Sequence, residues 1–349
     1  MRVKILNIML GKGKGGLENV FVSHTRLFCE NGYETFALCH QKTPYLDDLK
    51  ALNIPVFTMS SSKLNPFSWL RLILIIRKIR PDVLCLHGNR AVYFATSKIL
   101  KLFVRPFPKL MATAHNTRNK NFYKLDGIFS ITEVLKQHLI NHWHIPENKI
   151  FLCSNAVPFP KTEYKSYKSH TPIRIGFCGR LHPVKGLDIL LDACQKLSQN
   201  KIDFELFVAG DGPLADDYQK LVRAYHLSDK VHFLGWINDK KAFFEQIDIL
   251  CMPSRSEAQS LSLLEGLSYA KPVIISACPG MLEVVENADC ALSFPIENSD
   301  ILCEKLSDLI QDNQTCAKFS QNAYKLFLEK YNEEVQAKNL ITGITSICK

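Results

Sequence analysis

No apolar stretch in this chain of 349 residues approaches the roughly 18–20 residues that a membrane-spanning helix requires. The greasiest window, Ser68 to Arg80, is broken by Arg71 and Arg77, so the chain is read as not crossing a bilayer. C-x-x-C pairs are also missing. The 12 cysteines stand singly, mostly in apolar runs such as Val83–Leu86 and Phe151–Cys153, which speaks against structural zinc and redox pairs and for buried thiols in a reducing, cytoplasmic compartment. There is no Asp-x-Asp pair to hold a divalent ion, since Asp47-Asp48 and Asp216-Asp217 are adjacent, so no metal is expected. His138 and His142 share a helical face, yet no third ligand or Glu base accompanies them. Heptads, repeats and low-complexity tracts are absent, and the Met1–Leu10 segment, with Asn7 inside its apolar core and no small-residue cleavage site, reads as a first strand and not as a signal peptide.

What is present is the composition of a packed globular protein, 46% hydrophobic and 22% charged. The formal charge of +9 is unevenly spread: residues 1–157 hold 22 Lys and Arg against 9 Asp and Glu, the remainder 21 against 25. A basic half facing something anionic, such as a lipid surface, a phosphorylated acceptor or nucleic acid, is one reading; an ordinary lysine-rich solvated surface is the other.

Short apolar, β-rich runs alternate with helix-length amphipathic segments, the pattern of βαβ units around parallel sheets. Strands are expected at Val3–Met9, Thr35–Cys39, Val56–Met59, Val83–His87, Leu110–His115, Gly127–Thr132 and Ile150–Cys153. After a proline-rich linker, Pro158–Pro172, they resume at Ile173–Cys178, Phe204–Ala209, Val231–Leu234, Ile249–Met252, Val273–Ser276 and Ala291–Phe294. Two doubly wound α/β domains, 1–157 and 158–334, facing an interdomain cleft are the economical reading, because ligands bind beyond the carboxyl ends of such strands.

Each chemistry-bearing motif follows one of these strands. Gly11 to Gly16 contains Gly-x-Gly-x-x-Gly, but the second strand ends Leu38-Cys39-His40-Gln41 without the acid that a dinucleotide ribose needs, and Leu17-Glu18 replaces the Lys and Ser or Thr of a P-loop. What survives is a turn whose backbone N–H groups can approach a phosphate at a helix start. Gly179–Gly186 (GRLHPVKG) places Arg180 and Lys185 five residues apart on one loop, where a fork and a point charge can neutralise a diphosphate. Gly210–Pro213 (GDGP) is a tight turn. Glu257 and Glu265, eight residues apart, put one carboxylate on a loop and one on the following helix, able to bracket different hydroxyls of an elongated ligand. His87 ends the fourth strand ahead of Asn89, on the expected acceptor side; a hydrogen-bonded structural histidine is the alternative.

Together with Gly15–Glu18 (GGLE), His115 in Thr113-Ala114-His115-Asn116, Ser154–Val157, Phe233–Trp236 and Pro279–Glu283 (PGMLE), these motifs resemble family 4 of the retaining nucleotide-sugar glycosyltransferases, on the GT-B fold. The resemblance covers essentially the whole chain. It implies that Arg180 and Lys185 bind the donor diphosphate with help from the Gly15 and Gly16 backbone and the Gly179 loop, and that Glu265 binds the ribose. It implies also that Glu257 holds the transferred sugar with Gly280 near it, that the backbone around Gly235 faces the base, and that His115 sits beside the sugar. Gln259-Ser260 stand where the family often has an aromatic and a glycine, and Ala270 replaces a common glycine. A last helix, about 335–349, is expected to cross back to the first domain.

The function this implies is transfer of a glycosyl group, without metal or cofactor, from a nucleotide sugar to a lipid-linked or polysaccharide acceptor in lipopolysaccharide-like synthesis. The alternatives are a sugar-nucleotide epimerase of the same fold and a non-catalytic binder of anionic lipid or nucleic acid. A nucleic-acid partner is not expected, for want of a recognition helix or interleaved aromatics. The apolar excess of Trp69, Leu70, Leu72, Ile73, Ile75 and Ile76, flanked by cations, suggests a peripheral site on the inner face of a membrane.

Overall fold

The computed structural model describes residues 2–13, 15–60, 62, 64–117, 121–160, 164 and 166–349. Of the stretch read as a linker, residues 161–163 and 165 lie outside the described ones, as does Lys14 of the first glycine loop. The chain divides into two compact units, Met1–Asn155 with Glu333–Lys349, and Ala156–Asn332. Both junctions thus lie two residues ahead of the expected ones.

Among the described residues, the first unit holds seven parallel strands: β1 (Lys4–Met9), β2 (Glu34–His40), β3 (Val56–Met59), β4 (Val83–His87), β5 (Lys109–Ala114), β6 (Gly127–Ser130) and β7 (Ile150–Leu152), in the order β3-β2-β1-β4-β5-β6-β7. The order reverses between β1 and β4, which pair Met9 with His87 at their carboxyl ends. Helix Gly16–Glu30 starts behind Gly15, an extended N-cap without a side-chain cap, and ends at Asn31-Gly32 with Gly32 at φ +84°. The last helix, Glu333–Cys348, belongs to this unit: Ala337, Leu340 and Ile344 are buried with Ile5, Phe28, Val83, Met111 and Phe129. Glu333 pairs with Arg26, and Gln336 Nε2 donates to the Ser154 carbonyl at 3.0 Å.

The second unit holds β8 (Ile173–Cys178), β9 (Phe204–Ala209), β10 (Val231–Gly235), β11 (Ile249–Met252), β12 (Val273–Ser276) and β13 (Ala291–Phe294), all parallel, in the order β10-β9-β8-β11-β12-β13. Its reversal point lies between β8 and β11. Strands this hydrophobic on both faces require helices on both, and the sheet separates two cores, one around Leu190, Phe204 and Leu306 and one around Phe244, Leu264 and Phe327. The chain enters and leaves this unit side by side, with the Val157 N–H donating to the Tyr331 carbonyl at 3.1 Å.

Candidate functional site

The loops after β8 and β11 flank the reversal point of the second sheet, where an open parallel sheet binds its ligand. The β8 loop is Gly179–Gly186 and the β11 loop carries Glu257. Their ends meet: the Lys185 ammonium pairs with Glu257 Oε1, which also accepts from Ser254 Oγ at 3.3 Å. Both side chains are largely covered, at 21% and 13% exposed, so this pair is held by shape as well as charge. The stem of Lys185 lies 3.7 Å from the Cβ position of Gly179. Arg180, two residues beyond the strand end, is exposed and makes no ion pair among the described residues.

Backbone bonds fasten the neighbouring loops to this one. The Gly179 N–H donates to the Ala209 carbonyl at 3.0 Å, Leu181 to Asp211 at 2.9 Å, and Gly210 to Gly235 at 2.8 Å. Gly210 has φ +142°, and a Cβ there would stand 1.8 Å from the Gly179 carbonyl oxygen; only glycine permits the β8 and β9 loops to lie this close. Gly280 opens the helix Pro279–Val285 in the same manner, since its Cβ would stand 1.9 Å from the Ala258 oxygen and 2.8 Å from that of Glu257. The motifs after β8, β9, β11 and β12 therefore interlock through backbone, with Glu257 at their centre.

Glu265 projects from the helix Leu261–Ser268 and pairs with Lys240 at 2.9 Å; Lys240 Nζ also lies 3.5 Å from Cys178 Sγ. Burial alone would lower the Lys240 pKa, but Glu265 and Cys178 outweigh it and hold the ammonium charged above its ordinary value. Sequence reasoning assigned nothing to Lys240, because a Lys-Lys pair behind Asp239 looks like any exposed helix start. It also passed over Arg255, which ties the β11 loop down with two bonds to Asp188 at 2.9 and 2.6 Å, one to Glu297 at 2.7 Å and one to the Pro183 carbonyl. On either side of Gly235, at φ +64°, Leu234 and Trp236 are exposed beside the expected base position.

In the first unit, Gly15 and Gly16 start the first helix at the β1–β4 reversal point. His87 ends β4 but is only 1% exposed; its ring is packed edge-on by Phe21 (5.4 Å) and His24 (5.2 Å), with His115 at 6.0 Å. Expected to face the acceptor, it instead lies beneath the surface, while His115 behind β5 is half-buried and Asn89 is exposed. His24 Nε2, His87 Nδ1 and His115 Nε2 are buried without a hydrogen-bond partner among the described residues. Burial holds all three neutral: the pKa of His24 is lowered to about 3, with the His115 charge adding to the effect, His115 to about 4, and His87 well below its ordinary value by burial and then by His24 and His115. His138 and His142 stack at 4.3 Å, and no metal-binding cluster of His, Cys, Asp or Glu exists among the described residues.

A cavity of about 630 Å³ opens elsewhere in the second unit, lined by Tyr164, Tyr167, His170, Glu245, Lys271 and Tyr324. It lies at the amino ends of β11 and β12, on the opposite edge of the sheet from these loops. Burial lowers the Lys271 pKa there to about 8.

Comparison with known proteins gives this geometry its relatives. The profile described as "Glycosyl transferases group 1" matches residues 159–326, and "Glycosyltransferase Family 4" matches residues 14–159. An uncharacterized glycosyltransferase of Haemophilus influenzae is 22% identical over 92% of this chain and 93% of its own. The O-antigen biosynthesis glycosyltransferase WclY of Escherichia coli is 25% identical over 74% of each chain. Among solved structures, Anabaena Alr3699/HepE in complex with UDP-glucose superposes with a TM-score of 0.83 at 15% identity, over 99% of this chain and 100% of the other. With its two halves matched in order and its two doubly wound sheets in place, the chain belongs to the family 4, group 1 glycosyltransferases of GT-B fold.

Proposed function

We propose that this glycosyltransferase moves a sugar from a nucleotide-diphosphate sugar to a lipid-linked or polysaccharide acceptor of the cell envelope, with retention at the anomeric carbon and without a metal. The observation that carries the reading is the joining of Lys185 and Glu257 at the reversal point of the second sheet. The bond from the anomeric carbon to the diphosphate oxygen breaks, one from that carbon to an acceptor hydroxyl oxygen forms, and the hydroxyl proton passes to a donor phosphate oxygen. Charge grows on the departing diphosphate, which Arg180 and Lys185 neutralise; fixed cations in a closed site are worth far more there than in water. Glu257 holds the sugar hydroxyls, Glu265 the ribose, Gly280 and Gly235 line the donor, and His115 keeps the acceptor-side role that the family resemblance implies. Metal independence rests on the missing Asp-x-Asp pair together with these two cations. The cell-envelope assignment is supported by the O-antigen role in the name of the Escherichia coli relative, and the donor class by the UDP-glucose bound to the Anabaena protein. A cytoplasmic enzyme, peripheral at the inner face of the membrane, fits such an acceptor.

Thermal melting against a panel of nucleotide sugars tests the donor, since a ligand at 100 times its Kd adds about 2.7 kcal/mol of stability. Release of free nucleotide diphosphate only when acceptor is supplied marks a transferase; conversion of the nucleotide sugar without acceptor marks the epimerase alternative. The anomeric configuration of the product, read by NMR, tests retention, and unchanged turnover in EDTA tests metal independence.

A further inference from the structure

Helix Pro66–Ile79 turns Leu72, Ile73, Ile75, Ile76 and Ile79 into the first unit, as a sheet-packed helix must. The opposite face is not the polar one that this leads one to expect. Phe67, Leu70 and Leu74 are 75%, 52% and 55% exposed, at the i, i+3 and i+7 positions of one stripe, and Leu64 just before the helix is 95% exposed. Arg71, Arg77 and Lys78 lie on the same face. The neighbouring helix Lys98–Phe103 continues it with exposed Ile99, Leu102 and Phe103 and with Lys98 and Lys101, and Arg77 Nε fastens the two by donating to the Phe103 carbonyl at 2.9 Å.

The charge around the stripe has one sign. Residues 51–108 contain nine Lys and Arg and a single carboxylate, Asp82, which is engaged with the Lys4 backbone N–H at 2.7 Å. Arg71, Lys78, Lys98, Lys101 and Arg105 take part in no ion pair among the described residues. Two copies of such a face would set cations against cations, whereas anionic headgroups complement it. The helix follows β3, so its apolar N-terminal end lies at the carboxyl edge of the first sheet, the edge that carries His115 and the Gly15-Gly16 turn.

We infer that Phe67, Leu70 and Leu74, ringed by Arg71, Lys78, Lys98 and Lys101, seat the first unit on a bilayer of anionic phospholipid. The apolar side chains enter the boundary between headgroups and acyl chains while the cations bind the headgroups. The inference rests on the lipid-linked acceptor proposed above for its purpose, and on this surface for its evidence. It names the edge from which such an acceptor would be met.

Cosedimentation of the full chain with phosphatidylcholine vesicles, with and without phosphatidylglycerol, tests it. Binding is expected only with phosphatidylglycerol, and to fall as rising salt shortens the Debye length. The variant Phe67→Ser/Leu70→Ser/Leu74→Ser should bind more than tenfold more weakly with an unchanged melting temperature. Arg71→Ala/Lys78→Ala/Lys101→Ala should bind on the order of a hundredfold more weakly, from about a factor of five per cation. Wild-type binding by both variants, absence of binding by the wild type at low salt, or a wild-type dimer that the serine variant makes monomeric would each overturn the inference. Vesicle binding needs neither donor nor acceptor. Transfer to a detergent-solubilised lipid acceptor without vesicle binding therefore removes the docking surface alone, and vesicle binding without transfer removes the proposed reaction alone.

Discussion

Lys185 and Glu257 reach each other from loops that follow different strands, 72 residues apart in the chain, and meet where the strand order of the second sheet reverses. In the proposed reading, the pair offers a sugar diphosphate a cation and a carboxylate side by side. Ser254 and the loop clamp made by Arg255 hold the carboxylate side in place.

Removing either cation should slow the chemical step. Arg180→Ala and Lys185→Ala are each expected to lower kcat by about 10²-fold or more, the cost of losing charge stabilisation on a leaving group. Lys185→Ala also leaves Glu257 covered without its partner, so its melting temperature should fall as well, whereas that of Arg180→Ala should not. Wild-type turnover in both variants removes them from the donor site.

Glu265 is expected to act on binding more than on rate, because hydrogen bonds to a ribose are present in the ground state and the transition state alike. Glu265→Gln should raise the KM for the donor about tenfold or more with kcat nearly unchanged, and Lys240→Ala should follow it in the same direction, since Lys240 orients that carboxylate. Kinetics at varied donor concentration separate the two parameters; a kcat defect without a KM change contradicts the assignment.

The sheet-forming runs were legible because their side chains are buried on both faces and so read as unbroken apolar segments, and the 13 strands among the described residues lie where those runs lie. The glycine loops and paired charges were legible because turn chemistry and strand ends are local. What was not legible depends on long-range meetings. Nothing near Lys240 announces Glu265, nothing near Arg255 announces Asp188, and His24 reads as one more residue on an amphipathic helix until the fold brings it to His87. The split of Ser68–Arg80 into a buried and an exposed apolar face was visible as an excess, but which residues face out depends on how the helix packs.

Ala270 illustrates a local rule broken. Helix Leu261–Ser268 ends with the Lys271 N–H bonded to the Gly266 carbonyl at 2.9 Å and that of Ala270 to Leu267 at 3.0 Å, a Schellman pair that puts Ala270 at φ +56°. This is left-handed backbone, and the family's common glycine at this position would occupy it without a Cβ penalty. Ala270→Gly should therefore stabilise the protein by about 1 kcal/mol, an increase of about 1–2 °C in Tm for a chain of this size. Calorimetry of the two proteins decides it, and a lower Tm in the variant would contradict the account.

The buried histidines make stability depend on pH in a direction that follows from their charge. His24, with a pKa of about 3 in the folded protein against 6.5 for an ordinary histidine, stays neutral when folded and takes up a proton when unfolded between those values. The unfolded chain then binds more protons, so stability is full above about pH 6.5 and declines as the pH falls toward the folded value. For one such group the loss by about pH 5 is about 2 kcal/mol. His87 and His115 add to it in the same direction, though not independently, because their rings are neighbours and a proton on one opposes a proton on the next. Carboxylates with ordinary pKa values titrate mostly below this window, which leaves the decline between about pH 6.5 and 5 to the histidines. Chemical denaturation across this range should show the slope, and His24→Leu should flatten it, so that its stability relative to the wild type is more favourable at pH 5 than at neutral pH. Parallel curves for the two proteins would mean that His24 is protonated without resistance and does not hold the stack neutral.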